Sequence, residues 1–184
     1  MIEEYGATPP SIIDLQSSIA NQMRRVFLAL GSNLGDRRAN ITNALTRLGE
    51  SGVEVRRVSS FYRTEPVGYT AQPWFLNCAA QVGTDLMPLQ LLQRCQAIQR
   101  ALGRRPGRRN GPRAIDIDIL FYGNAIVHSA ELTIPHARMG ERRFVLLPLS
   151  EIAGDAEHPV TRQMVREMLA GAPPGEAIRM PERS

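Results

Sequence analysis

Asp116-Ile117-Asp118 lies within Gly111-Pro112-Arg113-Ala114-Ile115-Asp116-Ile117-Asp118-Ile119-Leu120-Phe121, where Ile115, Ile117, Ile119 and Phe121 recur at every second position. A period of two belongs to a β-strand, so the two carboxylates project together from the face opposite the isoleucines. Like charges side by side need a cation. A hard divalent ion such as Mg²⁺, held by one or two carboxylates and substrate phosphates, suits them best. Arg104, Arg105, Arg108, Arg109 and Arg113 stand just upstream and supply matching anion binders. Together these residues predict a phosphate-and-metal site. The plainer reading is two solvated carboxylates, the commoner state of an isolated Asp-x-Asp. Leu120 and Tyr122 continue the carboxylate face with apolar bulk, which favours a cleft.

The elements that position this pair follow from the hydrophobic pattern. Val26 to Leu30 is a continuous apolar run ended by Gly31, the pattern of a central strand buried on both sides. Asp36 is placed to cap a helix that carries Ile41, Ala44, Leu45 and Leu48 at helical spacing. Val53 to Tyr62 is read as a second strand, and Thr64 to Pro73, with Gly68, as a loop. Trp74 to Val82 alternates clearly: Trp74, Leu76, Cys78, Ala80 and Val82 form an apolar face, and Phe75, Asn77, Ala79 and Gln81 form the other. Asp85 and Pro88 open a helix bearing Leu91, Leu92, Cys95, Ile98 and Leu102, closed by Gly103. The Asp-Ile-Asp strand comes next.

The order is β-α-β-β-α-β, an α+β arrangement of the ferredoxin-like type, with an antiparallel sheet, both helices on one face and a substrate cleft on the other. Phe75, Asn77, Asp116 and Asp118 are expected together on the uncovered face. Downstream come an extended segment near Ile126, a turn at Thr133-Ile134-Pro135-His136 and a helix near Phe144 to Ile152. A last helix buries Met164, Val165, Met168 and Leu169. Residues 1–22 are read as an N-terminal tail and residues 23–184 as a single domain.

Composition narrows the chemistry. All 22 basic side chains are arginine, which excludes a phosphate-loop lysine, a protein-kinase ATP lysine and Schiff-base catalysis. Cys78 and Cys95 have no metal-like spacing and are expected as core residues in a reducing compartment. No apolar run is long enough to span a bilayer and no signal peptide is evident, so a cytoplasmic location is expected. The absence of an exposed apolar stripe makes a monomer the default. The formal net charge is +4, and a cluster of arginines serves a polyanion or one bound triphosphate equally well.

The inventory of aromatic rings, an amide, two carboxylates and arginines suits a flat hydrogen-bonding heterocycle beside a metal-bound polyphosphate. Phe75 and Phe144 are placed to stack on such a ring and Asn77 to bond its edge. His136, in its Pro-His turn, draws its weight from this company, whereas His128 and His158 look like ordinary loop residues. An RNA-binding module shares the element order, but a sheet presenting paired carboxylates repels phosphate unless metal intervenes, and the expected Gly-Phe-type aromatic motifs are missing. No nucleic-acid partner is therefore expected. A metal-dependent phosphohydrolase is the remaining alternative, and it needs an activated water rather than a pocket for an acceptor alcohol.

The segments at residues 29–36 (Ala-Leu-Gly-Ser-Asn-Leu-Gly-Asp), 59–66 (Ser-Ser-Phe-Tyr-Arg-Thr-Glu-Pro), 72–77 (Gln-Pro-Trp-Phe-Leu-Asn), 110–118 and 134–136 together resemble one family, in order and spacing over about residues 25–158. It is 6-hydroxymethyl-7,8-dihydropterin pyrophosphokinase, of the folate pathway. The resemblance implies transfer of diphosphate from ATP to the pterin hydroxymethyl group, with two Mg²⁺ ions on Asp116 and Asp118. It implies that Arg104 and Arg113 grip phosphate oxygens with a catalytic role. It further implies a pterin pocket from Thr64, Pro66, Phe75, Asn77 and Phe144, and nucleotide contacts from Gln96, Arg104, Arg113, Ile119, Thr133, His136 and Arg142. The loops at 63–73 and 104–112 are expected to close over the substrates. Three positions depart from the family pattern: Gln99 replaces an acidic residue found in many relatives, Asn110 an aromatic and Pro106 an arginine found in some.

Overall fold

The computed structural model describes residues 23–105, 107 and 111–181. The expected tail at 1–22 and the loop positions Pro106, Arg108, Arg109 and Asn110 lie outside the described residues.

Strand β1 (Arg24–Ser32) holds the centre of the sheet, hydrogen-bonded on one side to β4 (Phe75–Thr84) and on the other to β5 (Asp116–Tyr122). The main sheet runs β5-β1-β4-β3-β8, with β3 (Tyr62–Thr64) and β8 (Ala177–Arg179) at one side and β2 (Glu54–Val58) also paired to β4. Every pairing is antiparallel. Helix α1 (Arg37–Glu50) starts where expected: the Asp36 carboxylate accepts the Ala39 N–H at 3.0 Å. Helix α2 (Pro88–Ala101) begins on its proline, and the Gln90 side chain accepts the Met87 N–H at 2.8 Å. Both helices pack on one face of the sheet. There Val26, Leu28, Leu30, Leu76, Cys78, Ala80, Val82, Ile115, Ile117 and Ile119 meet Ile41, Leu48, Leu91 and Cys95. The α+β core is thus the expected split βαββαβ.

Four details differ from the sequence pattern. The single strand expected over 53–62 is broken, because β2 and β3 pair with different halves of β4. At the break Ser59 gives its N–H to the Ala79 carbonyl (2.9 Å) and accepts the Ala79 N–H on its hydroxyl (2.9 Å), a side chain substituting for a ladder bond. Trp74 precedes β4 rather than joining the core, and the Arg63 guanidinium lies 4.8 Å from its ring centre. The third difference is a bulge in β5: Phe27 pairs with Phe121, but Leu28 pairs with Ile119. The extra residue resets the alternation, so Phe121 leaves the isoleucine face and Tyr122 joins it.

The last difference concerns the face expected to be uncovered. Helices α3 (Arg143–Ala153) and α4 (Val165–Gly171) lie over its far half, burying Leu146, Leu149, Ile152, Val165 and Met168 against Phe27, Ala79, Leu120 and Phe121. A fully buried leucine contributes about 1.5–3 kcal/mol, so this apolar strip suffices to dock α3, which lacks a side-chain N-cap. Among the described residues, the half of the face around Gly31, Asn77, Asp116 and Asp118 is left uncovered by these helices. A small hairpin, β6 (Val127–His128) with β7 (Thr133–Ile134), leads into a cis Ile134-Pro135 bond and a short 3₁₀ turn at Met139–Glu141.

Both cysteines are buried and free, and burial pushes each thiol up to about 12, the inert state of a core residue. Among the described residues, no helix is long and apolar enough to cross a membrane.

Candidate active site

The uncovered half-face floors a cleft of about 110 Å³. Its floor is set by strand register: Gly31 of β1 pairs with Asn77 of β4 on one side and Asp116 of β5 on the other, while Ala29 pairs with Asp118. The small residues of β1 leave room above the sheet for both carboxylates and the amide. Thr64, Phe75, Asn77, Arg113, Asp116, Asp118, Arg142 and Phe144 all line this cleft, so eight of the residues singled out above converge.

Asn77 is buried, and its amide donates to the Thr64 hydroxyl at 2.7 Å, which orients the carboxamide. Gly31 is essential to that placement. A Cβ at Gly31 would stand 2.5 Å from Asn77 Oδ1 and 3.9 Å from the Phe75 ring. We therefore expect Gly31→Ala to displace the amide and raise the KM for the heterocyclic substrate by about tenfold or more, with a smaller effect on nucleotide affinity. Steady-state kinetics with each substrate varied in turn checks this, and equal effects on both substrates would refute it.

The carboxylates differ in their surroundings. Asp116 Oδ2 receives a hydrogen bond from Arg113 at 2.7 Å, and Oδ1 lies 2.9 Å from a nitrogen of Arg104. That second contact is ionic without hydrogen-bond alignment, so Oδ1 is a buried acceptor lacking a proper donor. Among the described residues, Asp118 is ion-paired only with Arg142, at 3.9 Å. Desolvation, and then the neighbouring Asp116 charge, push the Asp118 carboxyl up to about 6. Oxygen-only donors, one of them unsatisfied, and two carboxylates under mutual repulsion fit a hard cation such as Mg²⁺. Among the described residues, no cluster of three or more His, Cys, Asp or Glu is present.

The other singled-out residues sit around the cleft rather than in its lining. Arg104 reaches Asp116 from the loop after α2. Gln99, the departure from the family pattern, is buried within α2: its side-chain oxygen accepts the Ile117 N–H at 2.9 Å and also a bond from the Arg104 guanidinium. An amide oxygen thus meets these donors without adding a third negative charge. His136 follows β7, and its Nδ1 accepts the Arg138 N–H at 3.2 Å, leaving Nε2 as the donor. Burial first, and Arg142 next, hold the imidazole below its usual range, so it is neutral at pH 7. Pro66 is buried, the Ile119 side chain belongs to the core, Thr133 is half-buried in β7, and Gln96 is exposed on α2.

Sequence reasoning missed Arg138, which lines the cleft two residues beyond His136 and pairs with the exposed Glu141, at 3.5 Å. Its neighbourhood of basic residues was the available signal. Glu65 and Val67, from the loop after β3, also line the cleft.

Comparison with known proteins places this geometry. The family model described as 7,8-dihydro-6-hydroxymethylpterin-pyrophosphokinase matches residues 27–154. The chain is 46% identical over 159 residues to the 2-amino-4-hydroxy-6-hydroxymethyldihydropteridine pyrophosphokinase of Methylorubrum extorquens, covering 86% of this chain and 99% of that protein. It is 44% identical over 149 residues to a folic acid synthesis protein of Pneumocystis carinii, covering 81% of this chain and 20% of that protein. A mitochondrial folate synthesis bifunctional protein of Pisum sativum is 44% identical over 152 residues, covering 83% of this chain and 29% of the pea protein. The chain therefore spans less than a third of these last two relatives. The solved wild-type HPPK-DHPS of Plasmodium falciparum shares the fold, with a TM-score of 0.64 at 15% identity over 81% of this chain and 44% of that one. Because the family model covers most of the chain, and the Methylorubrum relative aligns along nearly its whole length, the chain belongs to the 7,8-dihydro-6-hydroxymethylpterin-pyrophosphokinase family.

Proposed function

We infer that the chain transfers the terminal diphosphate of ATP to the hydroxymethyl oxygen of 6-hydroxymethyl-7,8-dihydropterin, giving the pterin diphosphate and AMP in folate biosynthesis. The observation that carries this reading is one sheet row, Asn77-Gly31-Asp116, which joins a heterocycle-reading amide to a metal-type carboxylate within one cleft. In the reaction the pterin hydroxyl oxygen bonds to the β-phosphorus, the bond from that phosphorus to the α,β-bridging oxygen breaks, AMP leaves and the hydroxyl proton is lost.

Each group has a role that its position supports. Phe75 and Phe144 line the cleft as stacking surfaces for the pterin ring, and Asn77, fixed by Thr64, bonds the ring edge. Buried Pro66 stiffens the wall after Thr64. Arg113 and Arg104 neutralise phosphate oxygens, assisted by Arg142 and by the Nε2–H of neutral His136. Gln96, Thr133 and the backbone of Ile119 complete the nucleotide side. Asp116 and Asp118 would hold Mg²⁺, and the ion would supply charge neutralisation for the triphosphate. Two ions, a monomeric state and a cytoplasmic location complete the proposal. The RNA-binding alternative loses its platform, since α3 and α4 cover half of the sheet face that would stack bases.

The test is the nucleotide product. Protein supplied with ATP, Mg²⁺ and the reduced hydroxymethylpterin is expected to release AMP in step with pterin diphosphate. Release of ADP would assign an ordinary kinase, and phosphate release without pterin would assign a hydrolase.

A further inference from the structure

We propose that the C-terminal strand β8 is a positioning strap for the pterin side of the cleft, holding β3 and the turn into Glu65 in place against β4 and so governing pterin affinity without touching substrate. The proposal rests on the diphosphate-transfer reading above. β8 lies beyond residues 27–154, the span of the family match, and none of its residues lines the cleft. Strand β3 is three residues long, yet it supplies Thr64, which orients the Asn77 amide, and it leads into Glu65 and Val67 of the cleft wall. Its register joins three strands in rows, Asn77-Tyr62-Arg179 and Phe75-Thr64-Ala177. With a partner on one side only, so short a strand makes too few ladder bonds to resist fraying.

The ladder with β8 runs past both ends of β3. The Met180 N–H donates to the Phe61 carbonyl at 2.8 Å. At the other end the Glu65 N–H donates to the Glu176 carbonyl at 3.4 Å, and the Glu65 carboxylate accepts the Glu176 N–H at 3.1 Å. A residue of the cleft wall is thus held by backbone 111 residues further along the chain. Alternation along an antiparallel ladder makes Arg63 and Ile178, midway between these points, a hydrogen-bonded pair. β8 is in turn anchored to the helices on both faces of the sheet. The Arg179 guanidinium donates to the Ser60 hydroxyl at 2.9 and 2.6 Å and stands 3.6 Å from the Glu151 carboxylate of α3. That carboxylate also accepts the Tyr62 hydroxyl at 2.9 Å and the Ser60 N–H at 3.1 Å. On the opposite face, Arg38 of α1 donates to the Pro181 carbonyl at 3.2 Å. β8 and the acidic strand β5 stand at opposite ends of the sheet, so the strap bears on the pterin and not on the nucleotide.

Ile178→Pro removes the N–H at the middle of this ladder, and the Ile178 side chain, 45% exposed, takes little packing with it. Glu176→Pro removes the N–H that Glu65 accepts, and Ile178→Val, which keeps the ladder, is the control. Kinetics are read at a temperature where thermal melts show each variant folded. Ile178→Pro is expected to raise the pterin KM by about tenfold and Glu176→Pro by about threefold, with the ATP KM within about twofold of the parent and Ile178→Val unchanged. A reciprocal measurement on the parent protein needs no turnover. With Mg²⁺ and α,β-methylene ATP present throughout, adding the reduced hydroxymethylpterin is expected to slow amide hydrogen exchange at residues 177–180 by about fivefold or more, because a strap and a wall that order together share one coupling free energy. The proposal is overturned if that exchange is unchanged, or if the folded proline variants keep the pterin KM within twofold. An equal rise in both KM values also overturns it, since a strand that only stabilises the fold does not distinguish the substrates. If neither proline variant folds, the exchange result decides. Failure of the parent protein to form AMP would instead overturn the diphosphate-transfer reading, so the two failures are distinct.

Discussion

Replacing Asp116 or Asp118 by alanine is expected to reduce diphosphate transfer by about 10³-fold or more while leaving the protein folded. Neither carboxylate belongs to the apolar core, so no cavity opens there. The arginines left by Asp116→Ala retain access to solvent, with side chains 36% (Arg104) and 21% (Arg113) exposed. Stability provides a second, independent signature. The Asp118 carboxyl is pushed from 3.8 up to about 6 in the folded protein, so the fold is favoured while that group is protonated. This contribution is complete below about pH 3.8 and is lost as pH rises through about 6. Ionised Asp118 therefore costs stability at neutral pH in the metal-free protein. Because 38% of its side chain stays open to the cleft, solvent screening holds the cost to about 1–2 kcal/mol at most. Asp118→Asn should raise the metal-free melting temperature at about pH 7.5, leave it nearly unchanged at about pH 4, and still lack activity. Melting curves at both pH values and AMP release check these outcomes. Full activity in either alanine variant would sink the assignment of the site.

Arg113→Ala is expected to lower kcat by about 10²-fold or more, and Arg113→Lys to restore little of it. Arg113 is fixed from three sides: its side chain bonds Asp116 at 2.7 Å and the Gly111 carbonyl at 3.2 Å, and its backbone is held by Asn33. A guanidinium held this way costs little further ordering when charge develops on a phosphate oxygen, whereas a lysine offers a flexible point charge. Arg105→Ala is the control, because Arg105 is exposed, and activity within twofold of the parent is expected. Single-turnover measurements separate chemistry from binding. A variant that loses ATP affinity but keeps its single-turnover rate at saturation would show that Arg113 holds the ground state and the transition state equally.

Much of this site was legible because it depends on local periods. Asp116 and Asp118 share the cleft face through strand alternation, Phe75 and Asn77 fall on that same face by the same rule, and Asp36 caps α1 through a bond three residues away. What escaped depended on partners distant in sequence. The exchange of Phe121 and Tyr122 arises from pairing with β1, and the split near Ser59 from a bond with Ala79. The apolar stripe of α3 was visible, but a stripe does not say which sheet face it will cover. Trp74 continued the alternation of its strand yet belongs to the preceding loop. Asn33 stood inside a recognised motif without a role, since its partners are a loop and a strand entry far along the chain. Arg138 carried no period at all.

The bulge in β5 has a consequence for how this protein tolerates change. It divides one strand into two segments that are keyed to β1 separately: Asp116 and Asp118 by Gly31 and Ala29, Phe121 and Tyr122 by Phe27 and Val26. A one-residue length change beyond Leu120 has a joint at which to be absorbed, so it need not rotate the acidic pair away from its substrates. Repacking under α3 and α4 and preservation of the acidic pair are thereby insulated from one another. A lineage can remodel the hydrophobic half of the strand without disturbing the half that carries the chemistry.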